Sequence, residues 1–246
     1  MTAVVFAGPS IFGLPPAAFE GVDLRAPAAC GDLLHAALEG AQTIGLIDGS
    51  FGETASVWHK EILAALDRGV RVFGAASMGA LRAAECHAFG MIGIGSVFEE
   101  YRSGVRSADA DVAVLHAPAE LGYSPLTVAL VDAEATIAAL VATGRIGLET
   151  ALDLLASARR IGFRDRTWSA IVQRAGVPAE RAPMITELMR GADCSPKRED
   201  AAALLARLRE PRAIVELGVS LMPEKLNRTF FLAGLERRLP SAEGAR

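Results

Sequence analysis

Cysteine is scarce in this chain, with three residues in 246 (Cys30, Cys86 and Cys194), far apart and odd in number. That spacing supplies neither a disulfide framework nor a metal-ligand set, so no metal is expected and reduced cytoplasmic thiols are. Aromatics make up only 6% of residues, and there are four histidines. No basic stripe with interleaved aromatics appears, which argues against nucleic acid as a partner. The longest apolar runs break well short of a membrane span, so no membrane association is expected. The start, Met1-Thr2-Ala3-Val4-Val5-Phe6, lacks the basic opening of a secretory signal and reads as a first strand. G-x-G-x-x-G is missing after that strand, and G-x-x-x-x-G-K-[ST] is missing throughout. A Rossmann-like nucleotide binder therefore ranks last, and no cofactor is expected.

Half of the residues are apolar (51%), enough for a proper core in a helix-rich globule. Charge is uneven. Residues 1–120 hold 7 Lys/Arg against 14 Asp/Glu, whereas residues 121–246 hold 18 against 15. Arg159, Arg160, Arg164 and Arg166 bunch together, which suits an acidic protein or peptide partner or a solvated helix face. Strand-like runs at 3–7, 22–25, 43–47 and 70–73 alternate with helical segments at 31–39 and 54–68. This alternation predicts an α/β fold with a mainly parallel sheet flanked by helices. Beyond residue 120 the pattern turns helical, at 126–142, 148–161, 166–175, 178–190, 197–209 and 224–237. The expected organisation is an α/β core over 1–120, a helical region packed on it over 121–239, and a flexible tail over 240–246.

Ligands in such sheets sit beyond the carboxyl ends of the strands. Three loops fall there: Gly8-Pro9-Ser10-Ile11-Phe12-Gly13, Asp48-Gly49-Ser50-Phe51-Gly52, and Gly74-Ala75-Ala76-Ser77-Met78-Gly79-Ala80. In the last, a strand runs through small residues into a helix, the geometry that lifts a nucleophile above a sheet. Ser77 stands at the turn, and the Met78 N–H at the helix start is a candidate oxyanion donor. Alternatively, the small residues only let the helix pack close on its strand. Gly90-Met91-Ile92-Gly93-Ile94-Gly95 follows a helix and reads as a loop that permits close chain approach.

A serine hydroxyl needs a base to take its proton. His87, near the far end of the Ser77 helix, points away, and His35 suits packing or surface, while His59 and His116 remain possible. Lys60 is the stronger candidate, opposite the apolar face of Trp58, Ile62, Ala65 and Leu66. It is the only lysine before Lys197, and a lysine can serve as a base where an arginine cannot. Asp48, Glu53 and Glu61 could orient it, though Asp48 equally suits a turn and Glu53 a helix first turn. Ser10 and Ser50 are candidates for binding substrate or for bonding their own loops. Asp109 and Asp111 form a small acidic patch, too sparse to define a cation site.

Taken together, Gly8-Pro9-Ser10, Ile47-Asp48-Gly49-Ser50-Phe51, Trp58-His59-Lys60-Glu61-Ile62, Gly74 to Glu85 and Phe89 to Gly95 resemble the TfuA-like proteins, strongly over the first half of the chain. The resemblance implies a partner of YcaO-type ATP-dependent enzymes, which activate a peptide amide so that sulfur replaces its oxygen. It implies release of sulfide from a ThiS-like carrier bearing a C-terminal thiocarboxylate, by a Ser-Lys pair falling on Ser77 and Lys60. Met78, with Gly8, Ser10, Asp48, Gly49 and Ser50, would then bind substrate or its oxyanion. The alternative from another class is a non-catalytic adaptor that delivers peptide or carrier to the partner enzyme.

Overall fold

Short runs of valine, isoleucine and phenylalanine closed by turns build the centre of the molecule. The structure, a computed structural model, describes residues 2–52, 54–192, 194–210, 226–227 and 229–238. Glu53 and the tail 240–246 lie outside the described residues. Five strands form one sheet: β1 (Ala3–Phe6), β2 (Val22–Arg25), β3 (Thr43–Leu46), β4 (Arg71–Ala75) and β5 (Ile92–Ile94). All pairs are parallel, in the order β2-β1-β3-β4-β5. The helices in the first half are α1 (Asp32–Leu38), α2 (His59–Asp67), α3 (Met78–Cys86) and α4 (Ser96–Ser103). Then follow α5 (Leu130–Ala142), α6 (Leu148–Arg160), α7 (Trp168–Arg174), α8 (Ala182–Ala192), α9 (Pro196–Arg209) and α10 (Phe230–Arg238).

Strand side chains alternate between the two faces. Val4, Phe6, Ile44, Leu46 and Val72 join one core with Leu33 of α1, Ile62 of α2, and Met78 and Leu81 of α3. Val5, Ile47, Phe73 and Ala75 face the other way, onto Ala201, Leu204 and Leu205 of α9. Gly45 permits that contact, because a Cβ there would stand 2.9 Å from Leu204 Cδ2. Helix α9 therefore covers the second face of the sheet, although it comes late in the chain. Helices α5 to α8 enclose a separate core around Ile137, Leu154, Ile171 and Ile185.

Two expectations need correction. The Gly90–Gly95 stretch contains β5 rather than forming a loop, although its glycines do serve close approach. A Cβ on Gly93 would fall 2.2 Å from the Phe98 ring, and one on Gly95 (φ +94°) would fall 2.1 Å from the Asp200 carboxyl carbon. Helix α2 starts at His59 rather than residue 54, because Glu61 accepts from the Trp58 and Gly31 N–H groups and fixes the helix start there.

The chain leaves β1 toward β2 on one side and returns to place β3 on the other. That reversal opens a crevice at the carboxyl ends of β1 and β3, where open parallel sheets place their ligands. The loops after β1, β3 and β4 all emerge at this end.

Candidate functional site

The turn after β4 is strained. Ser77 N–H donates to Ala75 O at 2.8 Å across Ala76, whose φ is +68°. That is a γ-turn in its rare form, at a residue whose Cβ penalises positive φ. Strain of this kind persists only where the surroundings over-determine it, and it concentrates at functional sites. The surroundings here are unyielding. A Cβ on Gly79 would lie 1.8 Å from Leu46 O, and one on Gly74 would lie 2.2 Å from Gly79 O. The close-packing reading of the motif holds: its glycines let α3 press onto the sheet, and that packing fixes where Ser77 sits.

Ser77 is the N-cap of α3, yet its side chain makes no capping bond. A serine in that position ordinarily accepts from the first helical turn. Its hydroxyl instead donates to Val112 O at 3.3 Å. The same carbonyl accepts from Lys197 Nζ at 2.6 Å. Ser77 and Lys197 are each 2% exposed, and their tips converge on one oxygen atom. The Met78 N–H, next to Ser77 at the start of α3, has no acceptor among the described residues. It is free to meet negative charge developing beside the serine.

Lys197 occupies the first turn of α9 and is held from two sides. Ser195 caps that helix, accepting from Arg198 N–H at 3.2 Å and donating to Asp132 Oδ1 at 3.0 Å. Lys197 N–H also reaches Asp132 Oδ1, at 3.5 Å. Burial raises the Asp132 pKa, and the Lys197 charge with the Ser195 hydroxyl oppose that rise. A carboxylate from α5 thus steadies the turn that carries the lysine.

Lys60 does not join this cluster. It is half-buried at the start of α2 and makes no hydrogen bond or ion pair among the described residues. Its neighbour His59 meets Glu85 at 2.7 Å, eight residues along α3 from Ser77 and so about 12 Å down the helix axis. The expected Ser77–Lys60 contact is absent because α2 begins beside the far end of α3. Lys197 carries the signal that singled out Lys60, a lysine where the chain otherwise uses arginine. Only folding shows that a residue in the second half of the chain returns to the serine.

The remaining candidates sort by their partners. Asp48, 2% exposed, accepts from Gly8 N–H at 2.8 Å, Ser10 N–H at 3.0 Å and the Ser10 hydroxyl at 2.7 Å. The three residues tie the β1 and β3 loops together, so the Gly8 N–H and Ser10 hydroxyl are already committed. Gly49 and Ser50 line a cavity of about 280 Å³ with Ser77, His116 and Arg164. Gly49 packs against Met78, where a Cβ would stand 2.7 Å from Met78 Cγ. Lys197, Asp132 and Ser195 line a second cavity of about 480 Å³, which shares Pro9 and Val114 with the first.

His116 lies in the serine cavity, but its Nδ1 is bonded to Ala117 O at 2.8 Å. Cys86 is no rival nucleophile, since burial pushes its thiol up to about 12; burial takes Cys30 to about 11. Asp111 pairs with Arg106 at 3.0 Å, and no group of three metal-ligating side chains occurs among the described residues. None of the described helices is long and apolar enough to cross a membrane.

Asp48, Ser77, Met78, Val112, Asp132 and Arg164 fall within a match to the family model described as TfuA-like protein, over residues 48–167. Those residues form a TfuA-like domain. The family is linked to accessory roles in thioamidation. Among curated proteins, none matches the chain. The TfuA-like region holds Ser77, Met78 and the Val112 carbonyl, while Lys197 comes from beyond it.

Proposed function

We propose that this TfuA-like chain is an accessory hydrolase of peptide backbone thioamidation, releasing sulfide from a thiocarboxylated ThiS-like carrier for a YcaO-type partner enzyme. The observation that carries the reading is the convergence of the Ser77 hydroxyl and Lys197 Nζ on Val112 O, beside the unpaired Met78 N–H. Neutral Lys197 takes the hydroxyl proton as Ser77 Oγ attacks the thiocarboxylate carbon. The oxyanion that forms faces the Met78 N–H at the positive end of α3. As it collapses, Lys197 passes the serine proton to the sulfur, which leaves as hydrosulfide with the C–S bonding pair, and an ester remains on Ser77. Water then attacks that ester, giving up its proton to Lys197, which returns it to the departing serine oxygen. The balance is thiocarboxylate plus water to carboxylate, hydrosulfide and one proton, which the newly formed carboxylic acid gives up. Hydrosulfide leaves more readily than an amine, so one lysine suffices as proton shuttle.

The test is sulfide release from a thiocarboxylated carrier, followed by a thiol probe, for the native chain and Ser77→Ala. Release that collapses in the variant supports the hydrolase. Thioamidation by the partner enzyme that stays intact in Ser77→Ala, with the carrier unhydrolysed, makes the protein an adaptor.

A further inference from the structure

The four clustered arginines have separate fates in the fold. Arg166 is 3% exposed and its guanidinium donates to Ala158 O, Ile161 O and Val128 O. Arg159 pairs with Glu134, and Arg160 donates to Ala156 O one turn back in its helix. Arg164 alone of the four lines the Ser77 cavity. Its side chain is exposed, lies over the Phe163 ring at 5.3 Å, and has no hydrogen bond or ion pair among the described residues. It is also held in place. The three bonds of Arg166 pin the loop between α6 and α7, and Asp165 N–H donates to Gly162 O to close the turn. The Arg164 Nη2 atom lies against Gly52, 3.0 Å from where a Cβ there would stand. The guanidinium therefore bridges from the helical half to the β3 loop at the rim of the serine cavity.

A guanidinium so placed matches one ligand chemistry especially well, the planar two-oxygen or oxygen–sulfur anion at the end of a peptide chain. The acid that lines the cavity, Asp48, is already satisfied by Gly8 and Ser10 and does not compete for the guanidinium. The cavity is small, at about 280 Å³, which suits a slender tail of small residues.

We infer that Arg164 reads the terminal anion of a glycine-ended tail, admitting free C-terminal acids and thioacids to Ser77 and rejecting neutral ends and internal peptide. The identity of the reacting tail rests on the hydrolase reading above; the preference for a terminal anion does not. Pairing with Arg164 would also draw negative charge from the thiocarboxylate, which otherwise resists attack.

The experiment measures binding of a fluorescent peptide ending in Gly-Gly by anisotropy, as the free carboxylate and as the C-terminal amide. Native chain, Arg164→Ala and Arg164→Lys are compared, with the melting temperature checking each fold. The expected result is a native preference of about tenfold for the carboxylate. Arg164→Ala should abolish it and Arg164→Lys should keep part of it. Equal binding of both peptides by the native chain, or an undiminished preference in Arg164→Ala, overturns the inference even if sulfide release is intact. A preference that depends on Arg164 in a protein releasing no sulfide upholds the inference and removes the hydrolase reading.

Discussion

Replacing Lys197 by methionine keeps most of the buried stem and removes the atom that meets Val112 O. Two effects separate. The lost hydrogen bond is charge-assisted and buried at 2.6 Å, so its net worth is about 1.5–3 kcal/mol. For a chain of this length that lowers the melting temperature by about 3–12 °C, which leaves the variant folded at 25 °C. The chemical loss is larger. A positioned acid–base group contributes about 10²- to 10⁴-fold, or roughly 3–5 kcal/mol of barrier. Sulfide release measured at 25 °C on folded protein should fall by that factor, with substrate binding little changed. Lys197→Arg should restore some melting temperature and none of the rate, since an arginine keeps its proton. Lys60→Met should stay within about twofold of native, in line with the small effects of surface changes. A collapse in Lys60→Met alongside near-native release by Lys197→Met would refute the assignment, despite the shared carbonyl.

Three further outcomes follow from contacts elsewhere in the fold. Gly79→Ala sets a Cβ 1.8 Å from Leu46 O, backbone against backbone, so α3 must lift from the sheet. Urea unfolding should show a loss of about 1–3 kcal/mol or more, with sulfide release reduced as Ser77 moves. Asp48→Ala releases three donors that hold the β1 and β3 loops together and should cost at least about 1.5–3 kcal/mol in the same assay. Burial alone would raise the Glu134 pKa, but Arg106 and Arg159 outweigh it and hold the carboxyl below its ordinary value. A carboxyl depressed by folding adds stability above the ordinary carboxylate range and loses it as pH falls through the depressed value. Urea midpoints measured from neutral pH downward should therefore fall less steeply for Glu134→Gln than for the native chain.

The sheet was largely legible because its signal is local. Four short strand-like runs closed by turns mark β1 to β4, all but β2 largely apolar, and β5 escaped because three glycines obscured a three-residue strand. Their purpose, room for Phe98 and the Asp200 carboxylate, depends on side chains that no local pattern reveals. Ser77 was legible for the same reason as the strands, since a strand, a tight turn and a helix follow one another in the chain. Its partner was not. Lys197 reaches Val112 O only because α9 lies across the second face of the sheet, and nothing near residue 197 announces that placement. The Trp58-His59-Lys60-Glu61 string stands out in the sequence for its lysine. In the fold its buried member is Glu61, 0% exposed, which ties the start of α2 to the start of α1.

The late position of α9 has a consequence for how the protein is made. Ser77 leaves the ribosome about 120 residues before Lys197, roughly 6–24 s earlier at ordinary rates of synthesis. Throughout that interval the nascent chain carries a serine with no lysine beside it. The helix that brings the lysine is also the one that seals the sheet's second face and caps α4 through Asp200. The convergence of Ser77 and Lys197 on Val112 O and the completion of the fold therefore arrive in a single docking event.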